Sequence, residues 1–334
     1  MTKSKVSLSV LAIISTFTLT ACNESSSQSE DNGLVAADSD DQTVESTTNV
    51  GLKPALFLDG ALADEITTQT CTLSGGTETI CYRITIKGEP ASASIGPFCP
   101  PHITSDDTEG GIWFDGNGEI YSVDGEFIQS LSSLYGSDWQ LYDPETGNVK
   151  ITDTQIACEA AARPDVDPEY QNHCVECSIE YTNGGVEQTF LIPMEPVSMS
   201  NADAIGHDNI GVTLNGVVLA PPAPVQAILS ANTIAAFDDC GGHVNPFEGY
   251  HYHAATGCTE ETIEEDGHAG LIGYAIDGYA IYAMRNAQGD EDEDLDECRG
   301  HSDETRGYHY HAASAAENMF IGCFKGEQGE IIEE

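Results

Sequence analysis

The sequence predicts a mainly β or α+β protein: a disulfide-stapled, β-rich C-terminal domain built from two related halves, preceded by a smaller α+β or β-rich body. Three observations carry this expectation. A Tyr-His-Tyr-His segment with strand-like alternation occurs twice. Ten cysteines remain after one near the N-terminus is set aside, an even number that reads as disulfides in an exported chain. Elsewhere, short strand-like runs are punctuated by Gly and Pro, with little sustained helical periodicity.

The N-terminus carries Lys3 and Lys5, an apolar run from Val6 to Leu19, and Leu19-Thr20-Ala21-Cys22. This is the three-part order of a secretory signal, and the run is too short to span a bilayer. Leu-Thr-Ala-Cys resembles a bacterial lipobox, which implies lipid transfer to Cys22 and cleavage before it, so residues 1–21 are expected to be removed as a lipoprotein signal peptide. Two or three acyl chains would anchor the protein stably. Asn23 resembles an outer-membrane sorting residue, so the expected location is the cell envelope, on the outer membrane of a Gram-negative bacterium. Residues 22–50 are rich in Ser, Thr, Asp, Glu, Gln and Asn and should form a disordered tether.

Residues 51–195 form the expected N-terminal body. Strand-like runs occur at Cys81–Ile86, Ile112–Phe114, Val149–Ile151 and Cys177–Thr182, and amphipathic helical spacing at Glu126–Tyr135 and Asp153–Ala162. Pro193 and Pro196 mark a boundary with a second domain over 196–326, followed by an acidic tail at 327–334. Asp115-Gly-Asn117-Gly-Glu119, with Glu126 twelfth, has the carboxylate spacing of a calcium loop, but Ile120 replaces the glycine at the sharp turn. Calcium is therefore a weak expectation.

The chain has 11 Lys+Arg against 56 Asp+Glu and a net charge of −45. Nucleic acid and anionic headgroups are poor partners for such a surface, so the membrane is expected to be met only through the lipid anchor. Cys71 and Cys81 flank a Gly75-Gly76 turn and should staple a hairpin, while Cys240 with Cys258 and Cys298 with Cys323 would close local loops. Connectivity among Cys99, Cys158, Cys174 and Cys177 is open, with a structural role favoured over a redox or metal pair for Cys174 and Cys177.

Asp239-Cys240-Gly-Gly242-His243, six residues, then Tyr250-His251-Tyr252-His253 returns as Glu297-Cys298-Arg-Gly300-His301, six residues, then Tyr308-His309-Tyr310-His311. The spacing is identical at an offset of 58 (240 to 298). On an extended strand, His251 and His253 share one face and Tyr250 and Tyr252 the other. Two imidazoles at i, i+2 can converge on one ion, with His243 or His301 supplying a third nitrogen. Seven of the ten histidines fall between His243 and His311. The predicted ligands are thus His243, His251 and His253, with His301, His309 and His311 as a twin set, or one shared site if the strands face each other. With cysteines in disulfides, imidazole, carboxylate and Tyr phenolate suit copper or zinc. Tyr250, Tyr252, Tyr308 and Tyr310 would lie around the ligands, and Asp277 would either shape a turn at Asp277-Gly278 between two buried strands or orient a histidine. Leu271-Ile-Gly273 and Phe320-Ile-Gly322 suggest a looser continuation of the repeat. His102, His173 and His207 read as lone structural histidines.

These residues resemble the YHYH-domain family of exported bacterial proteins. The likeness rests on Gly211–Val217, Asp239–His243 with Tyr250–His253, Leu271–Gly278, Leu295–Cys298 with Gly300-His301, Tyr308–His311 and Ile321–Gly326, and it covers about residues 206–326. Arg299 stands where the pattern more usually has Asn, expected to be a surface-level change. The resemblance implies the domain and no activity, so metal binding rests on the residues. Two further readings stand beside it: a metal-dependent oxidoreductase or hydrolase, and a metal-free module whose tyrosines contact a glycan or protein.

Overall fold

The computed structural model describes residues 51–332 apart from 137, 164, 259–261 and 263. The signal peptide, Cys22 and the tether lie outside the described residues. Among those described, no helix is long and apolar enough to cross a membrane.

The C-terminal half is organised by one eight-stranded sheet. Its strands are β1 (Gly211–Thr213), β2 (Val218–Leu219), β3 (Gly242–Asn245), β4 (Gly249–Tyr252), β5 (Leu271–Ala275), β6 (Ala280–Tyr282), β7 (Gly300–Asp303) and β8 (Gly307–His311). They lie in the order β3-β4-β2-β1-β5-β6-β8-β7, which reads the same from both ends once the halves are exchanged. Each half contributes two hairpins joined by a parallel pairing, β2 with β4 and β6 with β8. At the centre β1 and β5 run antiparallel with Gly273 opposite Thr213, Tyr274 opposite Val212 and Ala275 opposite Gly211. That reciprocal register is the signature of a two-fold axis through the Val212–Tyr274 pair. Close approach there needs glycine: a Cβ on Gly211 would sit 2.2 Å from the Tyr274 carbonyl oxygen, and one on Gly273 2.2 Å from that of Val212.

The duplication is therefore longer than the Tyr-His-Tyr-His segments. Ile210-Gly211 to Asn215-Gly216 matches Ile272-Gly273 to Asp277-Gly278 as the tight-turned inner hairpin of each half. Leu271-Ile-Gly273 has this mate, whereas Phe320–Gly322 lies in no strand. The two halves thus merge into a single sheet.

The N-terminal residues do not stand apart. A four-stranded sheet joins Thr67–Thr72, Glu78–Ile86, Gln188–Pro193 and Glu330–Ile332, so part of the acidic tail pairs with the N-terminal body. Ser198–Ala204, just past the expected boundary, pairs with Cys323–Gly326. Ile112 bridges Phe237, and Phe114 stacks on Phe237 with ring centroids 4.2 Å apart. All described residues fall within one compact unit.

Five disulfides staple it. Cys71–Cys81, Cys240–Cys258 and Cys298–Cys323 close the local loops, and the four open cysteines pair as Cys99–Cys174 and Cys158–Cys177. The two expected helices are present as Gly125–Leu134, capped by Asp124, and Gln155–Ala161, capped by Thr154, and a third short helix spans Val225–Ser230. Two expected strands differ. Ile179–Thr182 is a 3₁₀ turn, because the Ser178 hydroxyl accepts from the Glu180 N–H and Asn183 ends it in the left-handed region. Val149 and Ile151 make only isolated bridges. The calcium-like stretch is a hairpin turn between Ile112–Phe114 and Ile120–Ser122; Asp115 accepts from the Asn117 N–H and the Tyr135 hydroxyl, while Glu126 sits in a helix.

Candidate metal centres

Period-two alternation places the histidines. In β4 the tyrosines and histidines point to opposite faces, as they do in β8. In the hairpin registers His243 lies directly opposite His251, and His301 opposite His309. Each hairpin therefore presents three imidazoles on one face.

In the first half, candidate ligand atoms of His243, His251 and His253 all lie within 4.8 Å of one another, and His251 Nε2 is 3.1 Å from His253 Nε2. In the second half His301, His309 and His311 are joined by His268 from the loop before β5. His309 Nε2 is 3.0 Å from both His268 Nε2 and His301 Nε2. The two clusters are separate, so a shared site between facing strands is not what the sheet builds. His268 was not among the expected ligands; its signal was its position within the dense stretch of seven histidines.

The outward nitrogens fix the rings. His251 Nδ1 donates to the Gly249 carbonyl at 3.1 Å and His309 Nδ1 to that of Gly307 at 2.9 Å. His253 donates to Pro221 at 2.7 Å and His311 to Ala283 at 2.9 Å, which are matching positions of the duplication. His268 Nδ1 donates to Ala269 at 2.9 Å, and His301 Nδ1 meets Asp294 Oδ1 at 2.8 Å. A neutral imidazole with hydrogen on Nδ1 presents a lone pair at Nε2. Several lone pairs thus converge at about 3 Å, an arrangement that repels unless a cation lies among them. With zinc–nitrogen bonds of about 2.0–2.1 Å, the edge of a tetrahedron is about 3.3 Å, so an ion needs only a few tenths of an ångström of expansion. His311 Nε2 is buried with no hydrogen-bond partner, 3.4 Å from Asp292 Oδ2.

Burial keeps five of the seven rings neutral, those of His243, His251, His253, His309 and His311. Burial, reinforced by neighbouring imidazoles, pulls His243 well below its ordinary value; burial likewise lowers His251, and takes His253 and His309 to about 3 and His311 to about 4. Neutral imidazole is the metal-binding form.

The tyrosines serve the opposite face. Tyr250 donates to Asp238 at 2.7 Å, and that carboxylate also accepts from the N–H groups of Gly96, Cys240 and Gly242. Tyr308 donates to Asp296, which caps Cys298 and Gly300 in the same way. A Cβ on Gly242 would meet the Tyr250 hydroxyl at 2.7 Å, which explains the glycine between cysteine and histidine. Tyr252 accepts from Asn215 Nδ2 at 3.1 Å, and Tyr310 donates to Asp277 at 2.6 Å. Burial raises all four phenols, Tyr252 to about 12, so phenolate ligation is not favoured. Asp277 holds a tyrosine and the Gly326 and Tyr279 N–H groups, and orients no histidine, because its turn opens on the tyrosine face. Asp238 and Asp296, which position both loops, were not singled out in the sequence.

The surroundings differ. The first cluster forms part of the wall of a cavity of about 290 Å³, lined also by Phe98, Val175, Pro221 and His207. The second is bordered by the acidic stretch 290–296 and by Arg306, which ion-pairs with Asp266 at 2.6 Å and Asp303 at 2.7 Å. His102 and His173 are tied locally, to Thr104 and Thr146 and to Gln171.

Fold and site define a class: a disulfide-stapled β protein with twin imidazole clusters on a duplicated sheet. Residues 189–293 match the family described as YHYH protein, and the chain carries a YHYH domain. The matched span takes in the first cluster and His268, and ends before His301. No curated protein and no solved structure matches the chain.

Proposed function

We propose that this protein is a lipoprotein of the bacterial cell envelope, anchored through Cys22 to the outer membrane, whose YHYH domain binds a transition metal, copper or zinc, at two centres. The observation that carries the metal reading is the convergence of imidazole nitrogens: in six of the seven clustered rings Nδ1 is held by an oxygen, which directs Nε2 inward. Asp294 on His301 is the carboxylate–histidine arrangement that orients ligands and raises their basicity. No thiol competes among the described residues, since their cysteines are all in disulfides. Nitrogen ligands of this kind suit copper and zinc and leave calcium little reason to bind.

A second reading is favoured by the cavity at the first cluster. Three histidines facing open space are the arrangement of a catalytic centre, where a metal-bound water or substrate takes the remaining position.

The test is elemental mass spectrometry on the full chain, purified with disulfides formed and dialysed against copper or zinc. About two ions per chain are expected. The His251→Ala/His253→Ala and His309→Ala/His311→Ala variants should each retain one, and a parent chain that takes up neither metal sinks the reading.

A further inference from the structure

The inner hairpin of each half is preceded by the same two residues. Gly267-His268 leads through three residues to Ile272-Gly273, and Gly206-His207 leads through two to Ile210-Gly211. His207 is thus the counterpart of His268, displaced by a single insertion. His268 is docked among the second cluster, whereas His207 is exposed at the rim of the cavity that the first cluster lines.

A specific latch accounts for the difference. Arg306, at the tip of the β7–β8 hairpin, pairs with Asp266 two residues before His268, and Asp266 also accepts from the His268 N–H at 3.1 Å. The position matching Arg306 in the first half is Glu248, by the offset of 58, and the residue two before His207 is Ile205. A carboxylate and an apolar residue cannot repeat that ion pair, so the His207 loop lacks the latch; it is held instead beside the histidine, by Ile205 packed against the core and by Asn209, which donates to Gln188 at 3.0 Å. The His207 imidazole itself is exposed and hydrogen-bonds to no described residue.

We propose that His207 is the fourth ligand of the first centre, swinging from the rim into the cavity when an ion is held by His243, His251 and His253. This rests on the metal-binding reading above and completes it: both halves use four imidazoles, one set preassembled by the Arg306 latch and the other closed by the ion. The reactive-looking open position is then guarded by a displaceable side chain, and the cavity is the room it moves into.

Cobalt(II) and zinc titrations of the full chain test this, with ligand-field absorption reporting coordination and chelator competition reporting affinity. The parent, His207→Ala and His268→Ala are compared, with circular dichroism as the folding control. In His207→Ala one binding step should weaken at least about tenfold and its cobalt spectrum change, with the other step unaltered. His268→Ala should weaken the other step. If the parent binds two ions and His207→Ala binds both with unchanged affinity and spectrum, His207 is not a ligand and the fourth position belongs to a molecule from the cavity. If the parent binds none, the metal reading itself fails.

Discussion

The two halves of the sheet share a backbone and differ in what surrounds it. The Asp238 and Asp296 caps, the Pro221 and Ala283 carbonyls behind His253 and His311, and the registers of the hairpins correspond position by position. Yet one cluster has three imidazoles beside a cavity and the other four beneath an acidic stretch and an arginine latch. Duplication repeats the geometry of an imidazole-bearing face; the loops between its strands then decide whether that face is closed or accessible. Closed four-ligand sites are structural and sites with a free position are reactive, so the halves should part in stability and exchange.

The largest expected contrast is in stabilisation by metal. An ion at a free concentration a thousandfold above Kd adds about 4 kcal/mol to the folded state. Most of the melting-temperature loss on chelation should therefore vanish in His309→Ala/His311→Ala and persist in His251→Ala/His253→Ala, measured by calorimetry. Equal losses from both variants would break the distinction between a preassembled centre and one closed by its ion.

Next come the buried caps. Asp238 is 1% exposed and accepts from three backbone N–H groups and a phenol, so Asp238→Ala leaves several buried donors unsatisfied and should cost about 3 kcal/mol or more. Asp296 is partly exposed, and water can reach the donors it abandons; Asp296→Ala should cost roughly half as much in urea unfolding.

A smaller effect separates the inner hairpins. Burial raises Asp277 to about 6, while its counterpart is the uncharged Asn215. The folded chain therefore holds a proton that the unfolded chain releases near pH 3.8, and stability falls as pH rises from there to about 6. Asp277→Asn, which keeps an acceptor for the Tyr310 hydroxyl, should remove that fall, on the order of 2 kcal/mol between pH 4 and pH 7. An unchanged slope would show that the carboxylate is ionised throughout.

The sequence made half of this contrast legible. Strand alternation alone separated histidines from tyrosines in both repeats, and the local cysteine pairs followed from loop closure. The expected junction near Pro193 and Pro196 reads differently in space, because Glu330–Ile332 returns to pair with Gln188–Pro193 and composition carries no trace of that long-range pairing. His268 lies between the repeats in sequence and outside the expected ligand set because Leu271-Ile-Gly273 resembles Phe320-Ile-Gly322 locally, whereas its true mate, Asn209-Ile-Gly211, lies at an offset of 62 (210 to 272) instead of 58. A fixed-period comparison cannot see a repeat whose two hairpins are spaced differently.

The smallest expected effect on stability concerns Arg299, and it sharpens the comparison most at the second centre. Its counterpart is Gly241; both adopt left-handed backbone, φ +66° for Arg299 and +76° for Gly241. A non-glycine residue there costs about 1–2 kcal/mol, so arginine is more than a surface-level change. The guanidinium offsets the cost by donating to the carbonyls of His311 at 3.2 Å and Ala312 at 3.1 Å and by pairing with Glu291. Arg299→Gly exchanges backbone strain for lost hydrogen bonds, so its stability should stay within about 1 kcal/mol of the parent. Glu291, however, adjoins Asp292, which lies against His311 Nε2, and precedes Asp294, which holds His301. Releasing that stretch should weaken metal binding at the second centre by about tenfold, read by chelator competition, while the first centre is untouched. Arg299→Asn relieves the strain without restoring the guanidinium, and should match the glycine variant in affinity; parental affinity in both would mean that the acidic stretch borders the second centre without supporting it.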